Sequence, residues 1–305
     1  MSVSIGIIGT GWVGSSVAIS TLHSGVCTEL LLYDLREEVA AGDAMDLSHG
    51  ASFYPPASVR TASIKEMRRC NAVVVTAGRG GRPNESRLDL LKDNAATVRS
   101  IGQTFAGYEG LLVVVTNPVD VLTHVIREAS GLPAARVIGT GTMLDTARLR
   151  QRLGEELRID PRSVHAQVVG EHGDSEVVLW SGARAGGTPL RQWPGWSAER
   201  EAAIATEVRT AAYEIIRRKG ATNHAIGLVT AALLKWALRG DRRVITVSRV
   251  HEDIEGVRDV ALSLPVVVTP RGAEQVIVPE MTKEERAALQ RSAAVLRRAI
   301  ESVNG

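Results

Sequence analysis

The chain has 305 residues, of which 44% are hydrophobic, and this length and content fit a large core shared by two closely packed lobes. Its 36 basic and 34 acidic side chains leave a formal net charge of +2, which gives no reason to expect a nucleic-acid partner. Apolar runs such as "LLVVV" are much shorter than the ~20 residues that span a bilayer, so we expect no membrane segment.

The chain has two cysteines, Cys27 and Cys70, whose surroundings offer neither metal-ligand spacing nor a disulfide framework. We therefore expect no bound metal and a reduced, cytoplasmic location. The segment "MSVS" runs directly into the apolar stretch "IGIIG", so we also expect no cleavable signal peptide.

Short apolar runs alternate with helical patterns through the first half of the chain. The runs lie at residues 3–8, 29–33, 72–76, 111–116 and 136–138. Continuous apolar strands separated by helices predict an α/β fold with a doubly wound parallel sheet that is covered on both faces.

The first run ends in "GTGWVG", where Gly9, Gly11 and Gly14 fit the pattern G-x-G-x-x-G. Such a turn lets the backbone touch a pyrophosphate at a helix N-terminus. The second run ends at Asp34, twenty residues after Gly14, where a carboxylate can bind ribose hydroxyls and repel a 2′-phosphate. These features predict NAD, while the neighbouring Arg36 leaves some use of NADP open. The alternative is a glycine turn and a polar strand end with purely structural roles.

The pattern changes near residue 140. Helices are predicted over residues 143–157, 197–219 and 224–239, with the strands "RRVITVSRV", "SLPVVV" and "EQVIV" after them. A closing helix begins at Thr282, with Glu285 three residues later as a capping-box partner. We therefore predict a nucleotide-binding lobe over residues 1–140 and an α+β lobe over residues 141–305.

Three side chains in the second lobe suggest proton-transfer chemistry. Asp145 and Arg148 lie three residues apart on one helical face, and His172 lies between glycines in "VVGEHGDSE". Histidine suits proton transfer near neutral pH, a buried carboxylate can orient it, and arginine can bind a substrate carboxylate through two parallel hydrogen bonds. The alternatives are a helical ion pair and an ordinary turn histidine.

Six blocks in this order are together similar to the NAD-dependent L-lactate/L-malate dehydrogenase family: "GTGWVG", "TAG…ESRLDLL", "TNPVDVLTHV", "GTGTMLDTARLR", "GEHGDSEVVLWS" and "KGATNHAIG". The closing "LPVVV…GAEQVIVPEMTKEE" extends the resemblance over essentially the whole chain. It implies a Rossmann domain followed by an α+β substrate-binding domain, and a homodimer or tetramer. The implied reaction is reversible hydride transfer between NAD(H) and a small L-2-hydroxy acid.

The resemblance also assigns roles by motif position. His172 is the implied acid/base, Asp145 its orienting carboxylate, and Arg148 the ligand of the substrate carboxylate. Arg87 polarises the reacting carbonyl, and Asn117 assists at the nicotinamide and substrate. Thr222 packs beside the substrate. The implied cofactor contacts are Gly9, Gly11, Trp12, Val13, Gly14, Asp34, Thr76, Ala77, Gly78, Asn117 and Ile226.

Gly81 occupies the position that reads the far end of the substrate in this family, six residues before Arg87. Malate enzymes have arginine there and many lactate enzymes have glutamine. Glycine cannot neutralise a second carboxylate, and Glu85 and Thr222 are also typical of lactate enzymes. We therefore expect a lactate dehydrogenase that tolerates longer 2-oxo acids. A malate enzyme stays open, because Arg82 or the nearby Arg79 could turn inward.

Arg150 and His165 match positions that bind fructose 1,6-bisphosphate across a subunit interface in bacterial lactate dehydrogenases; the alternative is ordinary surface charge. The sequence argues against two functions from other classes. An NAD-dependent glycosidase would need a metal held by Cys and His, and neither cysteine lies near His172 in the sequence. A catalytically silent nucleotide-binding relative would not need the competent residues that the proton-transfer, carboxylate-binding and loop positions retain.

Overall fold

The computed structural model describes residues 2–80 and 87–304, without the side chains of Arg87 and Asn304. The helices in this part of the chain are α1 (Trp12–Ser24), α2 (Glu37–His49), α3 (Arg87–Thr104), α4 (Val119–Ser130), α5 (Met143–Leu157), α6 (Ala198–Lys219), α7 (His224–Arg239) and α8 (Lys283–Asn304). The strands are β1 (Ser4–Ile8), β2 (Glu29–Tyr33), β3 (Ser58–Thr61), β4 (Ala72–Val75), β5 (Leu111–Val114), β6 (Val137–Gly139), β7 (Val164–His165), β8 (Val168–Val169), β9 (Val177–Val178), β10 (Arg184–Ala185), β11 (Thr188–Pro189), β12 (Val244–His251), β13 (Val260–Thr269) and β14 (Gly272–Val276).

The main sheet confirms the predicted α/β class. Its order is β14-β13-β12-β6-β5-β4-β1-β2-β3. The pairs from β3 to β6 are parallel, as continuous apolar runs separated by helices predict. The carboxyl ends of β1, β2, β4 and β5 therefore share one edge, where doubly wound sheets bind their ligands.

Two features of this sheet were not predicted from the sequence. The predicted strands β12, β13 and β14 continue it in antiparallel fashion, so the sheet crosses the expected lobe boundary near residue 140. The edge strand β3 was not predicted, because its sequence "SVRT" is short and polar and lacks an apolar run. The boundary itself stays a prediction.

Apolar side chains form a core on each face of the sheet. On one face α1 and α7 pack through residues such as Val17, Leu22 and Leu234, and on the other α3, α4 and α8 pack through residues such as Val98 and Leu296. A third core joins α5 and α6 to the short strands. None of the described helices is long and apolar enough to cross a membrane.

The closing helix α8 begins with the predicted capping box. Thr282 N–H donates to Glu285 Oε2 (2.9 Å), and Glu285 N–H donates to Thr282 Oγ1 (3.2 Å). This reciprocal pair fixes the start of the helix that packs behind β13.

Helix α7 lies directly on α1 because Gly227 has no side chain at the crossing. A Cβ at this position would lie 2.6 Å from Ser16 O. This close approach packs α1, the helix that follows the glycine turn, directly against the second half of the chain.

We expect Gly227→Ala to destabilise the fold by about 1–3 kcal/mol, because the added methyl group forces α7 away from α1. The matched control is Gly42→Ala in α2, where a Cβ meets nothing within 4 Å. That change should be neutral or stabilise by up to about 1 kcal/mol, since alanine favours a helix. Denaturant unfolding of both variants measures the difference, and equal midpoints would contradict the tight crossing.

Candidate functional site

The glycine turn after β1 packs against the end of β4. Gly9 has a φ of +99°, and a Cβ there would lie 2.7 Å from Ala77 N. Thr76 Oγ1 donates to Gly9 O (2.6 Å). Only glycine fits this conformation and this contact, so the turn and the "TAG" segment form one surface.

Asp34 accepts hydrogen bonds from two backbone groups. Thr10 N–H donates to Asp34 Oδ2 (2.9 Å), and Arg36 N–H donates to Asp34 Oδ1 (3.0 Å). Burial raises the pKa of Asp34, but these N–H groups and the Arg36 charge outweigh it, and the net pKa is lowered. Asp34 therefore carries a negative charge at neutral pH, as contact with ribose hydroxyls requires.

A cavity of about 960 Å³ opens beside the N-terminus of α1, and Thr10, Gly11, Trp12 and Arg36 are among the residues that line it. Gly11 is the N-cap of α1 and offers no side-chain acceptor, and a Cβ there would meet nothing within 4 Å. No side chain of the N-cap therefore fills the space beside the start of the helix, which suits a pyrophosphate. In this turn Gly14 is buried, Val13 is half-buried and Trp12 is exposed.

Asn94 of α3 joins the ends of two neighbouring strands. Its Oδ1 accepts from Arg79 N–H (3.0 Å), and its Nδ2 donates to Asn117 O (3.3 Å). Gly78 packs closely against Asn94, because a Cβ there would be 3.3 Å from Asn94 Oδ1. The Arg79 guanidinium binds Asp93 Oδ2 from Nε (3.1 Å) and Nη2 (2.6 Å). Arg79 is therefore held on α3.

The structure brings His172, Asp145 and Arg148 together, as the sequence suggests. His172 Nδ1 lies 2.5 Å from Asp145 Oδ2, and Arg148 Nη1 donates to Asp145 Oδ1 (2.9 Å). The Asp145 side chain is 3% exposed and the His172 side chain 23%. One buried carboxylate therefore binds both the imidazole and the guanidinium.

This arrangement favours the protonated imidazole. Burial lowers the pKa of His172, but the charges of Asp145 and Asp120 outweigh it and raise the pKa to about 9. Burial raises the pKa of Asp145, and the charges and hydrogen bonds of His172 and Arg148 reverse that effect, so its pKa is lowered. The pair therefore holds a proton on the ring at neutral pH, ready for transfer.

Two further carboxyl groups next to His172 were missed by the sequence reasoning. Asp120 is 2% exposed, and its Oδ2 accepts from His172 N–H (2.7 Å); burial raises its pKa to about 6. Glu176 is 6% exposed, and burial together with the Asp145 charge raises its pKa to about 8, against the opposing charge of Arg209. Asp120 lies in the motif "TNPVDVLTHV" and Glu176 in "GEHGDSEVVLWS", but the spacing within these motifs does not indicate that either carboxyl group lies near His172.

Thr222 and Ile226 lie at the junction between α6 and α7, where both are partly buried. The junction is fixed to α1 by Asn223, whose Nδ2 donates to Ser16 Oγ (2.9 Å). Both residues are therefore on the part of the chain that packs against the helix of the glycine turn.

Arg150 and His165 line a separate cavity of about 350 Å³, together with Gln167 and Glu280. Arg150 Nε donates to Ala166 O (3.0 Å), and His165 is exposed.

Gly81 and Arg82 lie outside the described residues, as does the side chain of Arg87. Within residues 2–80 and 87–304, no group of three His, Cys, Asp or Glu side chains could hold a metal ion.

Comparison with protein families matches the chain in two parts. Residues 3–139 match the NAD binding domain of lactate/malate dehydrogenase, and residues 142–304 match the alpha/beta C-terminal domain of the same family. The glycine turn and Asp34 belong to the first match and the His172 group to the second, while residues of both matches line the cavity beside α1.

Known relatives agree with these matches. The chain is 42% identical to L-lactate dehydrogenases of Kosmotoga olearia (98% of this chain and 96% of the relative) and of a Synechococcus strain (97% and 98%). The crystal structure of a minor L-lactate dehydrogenase from Enterococcus mundtii superposes with a TM-score of 0.96 at 38% identity, covering 99% of this chain and 98% of that one. The chain therefore belongs to the lactate/malate dehydrogenase family.

Proposed function

We propose that this chain is an NAD-dependent L-lactate dehydrogenase that interconverts L-lactate and pyruvate. The observation that carries the proposal is the group in which the buried Asp145 binds His172 and Arg148, in a chain that matches L-lactate dehydrogenases over nearly its full length. The charge retained on Asp34 and the cavity beside the glycine N-cap of α1 fit a dinucleotide cofactor.

Each residue of this group has a role that its geometry supports. His172 directs Nδ1 to Asp145, so Nε2 is the nitrogen available to the substrate oxygen. It donates a proton when a 2-oxo acid is reduced and accepts one when the hydroxy acid is oxidised. Arg148 uses Nη1 on Asp145, and its other N–H groups suit a substrate carboxylate. The cofactor supplies or accepts the hydride at C2.

The remaining assignments follow from the family resemblance. Arg87 polarises the carbonyl, Asn117 orients the nicotinamide and substrate, and Thr222 lies beside the substrate. The contact of Asn94 with the Asn117 carbonyl supports a fixed position for Asn117 at the strand end. The cytoplasmic location stays a prediction.

Lactate is favoured over malate at the far end of the substrate. The position that malate enzymes occupy with arginine is Gly81, and the Arg79 guanidinium binds Asp93 on α3. A second substrate carboxylate left without a cation in a closed site would cost several kcal/mol. Pyruvate and longer 2-oxo acids avoid this cost.

His172→Asn should lower kcat for pyruvate reduction by about 10²- to 10⁴-fold, because it removes the proton donor. In the wild-type protein, reduction needs the protonated ring, whose pKa is about 9. kcat/KM for pyruvate should therefore be nearly constant below that pH and fall above it, whereas lactate oxidation should rise as pH increases towards it. Initial rates across pH measure both directions.

The control for the pH profile is Asp145→Asn, which removes the charge that raises the His172 pKa. The falling limb should move to lower pH in this variant. A folded His172→Asn protein with wild-type turnover would contradict the proposed role.

A substrate panel checks the preference for lactate. We expect kcat/KM with NADH to be highest for pyruvate, with measurable activity on 2-oxobutyrate and 2-oxoisocaproate and lower activity on oxaloacetate. Arg79→Gln should leave the ratio of oxaloacetate to pyruvate unchanged, because Arg79 is bound to Asp93. A kcat/KM that is highest for oxaloacetate would overturn the ranking. Loss of that activity in Arg79→Gln would identify Arg79 as the residue that binds the second substrate carboxylate.

We also propose a homo-oligomer in which Arg150 and His165 bind fructose 1,6-bisphosphate. Exposed Met45 and Leu228 on α2 and α7 support coverage by a second copy. The bisphosphate should lower KM for pyruvate in the wild type and have no effect in Arg150→Gln, with light scattering to follow the assembly. Identical saturation curves with and without the bisphosphate would exclude this control.

A further inference from the structure

The turn that carries His172, residues 170–175, is held by side chains from two distant helices. Glu171 N–H donates to Ser292 Oγ on α8 (2.8 Å), and the next group, His172 N–H, donates to Asp120 Oδ2 on α4 (2.7 Å). Two consecutive backbone groups are thus fixed at the point from which the imidazole extends.

Ser292 also contacts the far end of the same turn. Its Oγ lies 3.1 Å from Ser175 Oγ, and Ser175 N–H donates to Glu171 Oε2 (3.1 Å). The Ser175 hydroxyl is also bonded to that carboxylate oxygen. One hydroxyl on α8 therefore reaches both sides of the loop in which His172 lies.

The Ser292 hydroxyl serves the turn and not the apolar core around it. Ser292 is 0% exposed and lies between Leu289 and Leu296 on the face of α8 that packs into the core. Serine is a weaker helix former than alanine, and a buried hydroxyl is unfavourable unless it is hydrogen-bonded. Within residues 2–80 and 87–304, the hydrogen bonds of this hydroxyl go to residues 171 and 175 and not to its own helix.

We infer that Ser292 is a positioning residue for the reaction: it holds the turn so that the His172 ring stays aligned with Asp145. This inference rests on the proposed function. The alignment matters because His172 Nδ1 lies 2.5 Å from Asp145 Oδ2, and the ring must at the same time present Nε2 to the substrate. A displacement of about 1 Å at such a group costs up to about 10²-fold in rate.

The test compares Ser292→Ala with Ser302→Ala. Ser302 lies on the same helix, and its hydroxyl donates to Ala299 O, so the control removes a hydroxyl that does not reach the turn. In Ser292→Ala we expect kcat for pyruvate to fall about 10- to 100-fold with KM for NADH unchanged. The falling limb of kcat/KM should move to lower pH, because a displaced ring loses part of the Asp145 contact. Ser302→Ala should match the wild type in each respect.

Ser292→Cys provides a graded variant, since a thiol is somewhat larger than a hydroxyl and accepts hydrogen bonds weakly. Its kcat should lie between those of the serine and alanine proteins. If circular dichroism and thermal unfolding show that Ser292→Ala does not fold, Ser292→Cys takes its place in the comparison with Ser302→Ala.

A measurement that needs no turnover separates this inference from the proposed function. Nuclear magnetic resonance of protein labelled with ¹⁵N-histidine follows the titration of His172 directly. A lower midpoint in Ser292→Ala than in the wild type and Ser302→Ala supports the inference. An unchanged midpoint, or a folded Ser292→Ala protein with wild-type kcat and pH profile, overturns it. A wild-type protein that reduces none of the 2-oxo acids would instead defeat the proposed function.

Discussion

The contact between the buried Asp145 carboxylate and the His172 ring constrains the rest of the site. A carboxylate that is 3% exposed loses most of its hydration, and its charge is tolerated only beside cations and hydrogen-bond donors. His172 and Arg148 supply both. The two side chains that stabilise the buried aspartate therefore also hold a proton and a guanidinium at partly exposed positions. The contacts that allow Asp145 to be buried are therefore the same contacts that support proton transfer by His172.

Several parts of the fold act together on this contact. Helix α5 supplies Asp145 and Arg148, and α4 begins just beyond β5 and supplies Asp120 to the His172 backbone. Helix α8 supplies Ser292, whose hydroxyl accepts a hydrogen bond from Glu171 N–H in the same turn. Asn94 fixes the strand end that precedes α4. The nucleotide edge of the sheet and the proton-transfer group are thus linked through the short segment between β5 and α4.

Much of this arrangement could be predicted from the sequence because its signals are local. The glycine turn, Asp34 at the end of β2 and the capping box of α8 each depend on residues close together in the chain, and ordered motifs indicated His172, Asp145 and Arg148. The contacts of Asp120, Glu176 and Ser292 depend on side chains brought together by tertiary packing, for which sequence spacing gives no signal. The pairing of β12 with β6 was missed for the same reason, since strand patterns indicate strands and not their neighbours.

The nine-stranded sheet has a consequence for how the polypeptide can be divided. Because β12 pairs with β6, a fragment that ended near residue 140 would leave β6 as an open edge with unpaired backbone N–H and C=O groups. Such an edge is a template for pairing with other chains, so the nucleotide-binding half should be prone to self-association when it is produced alone.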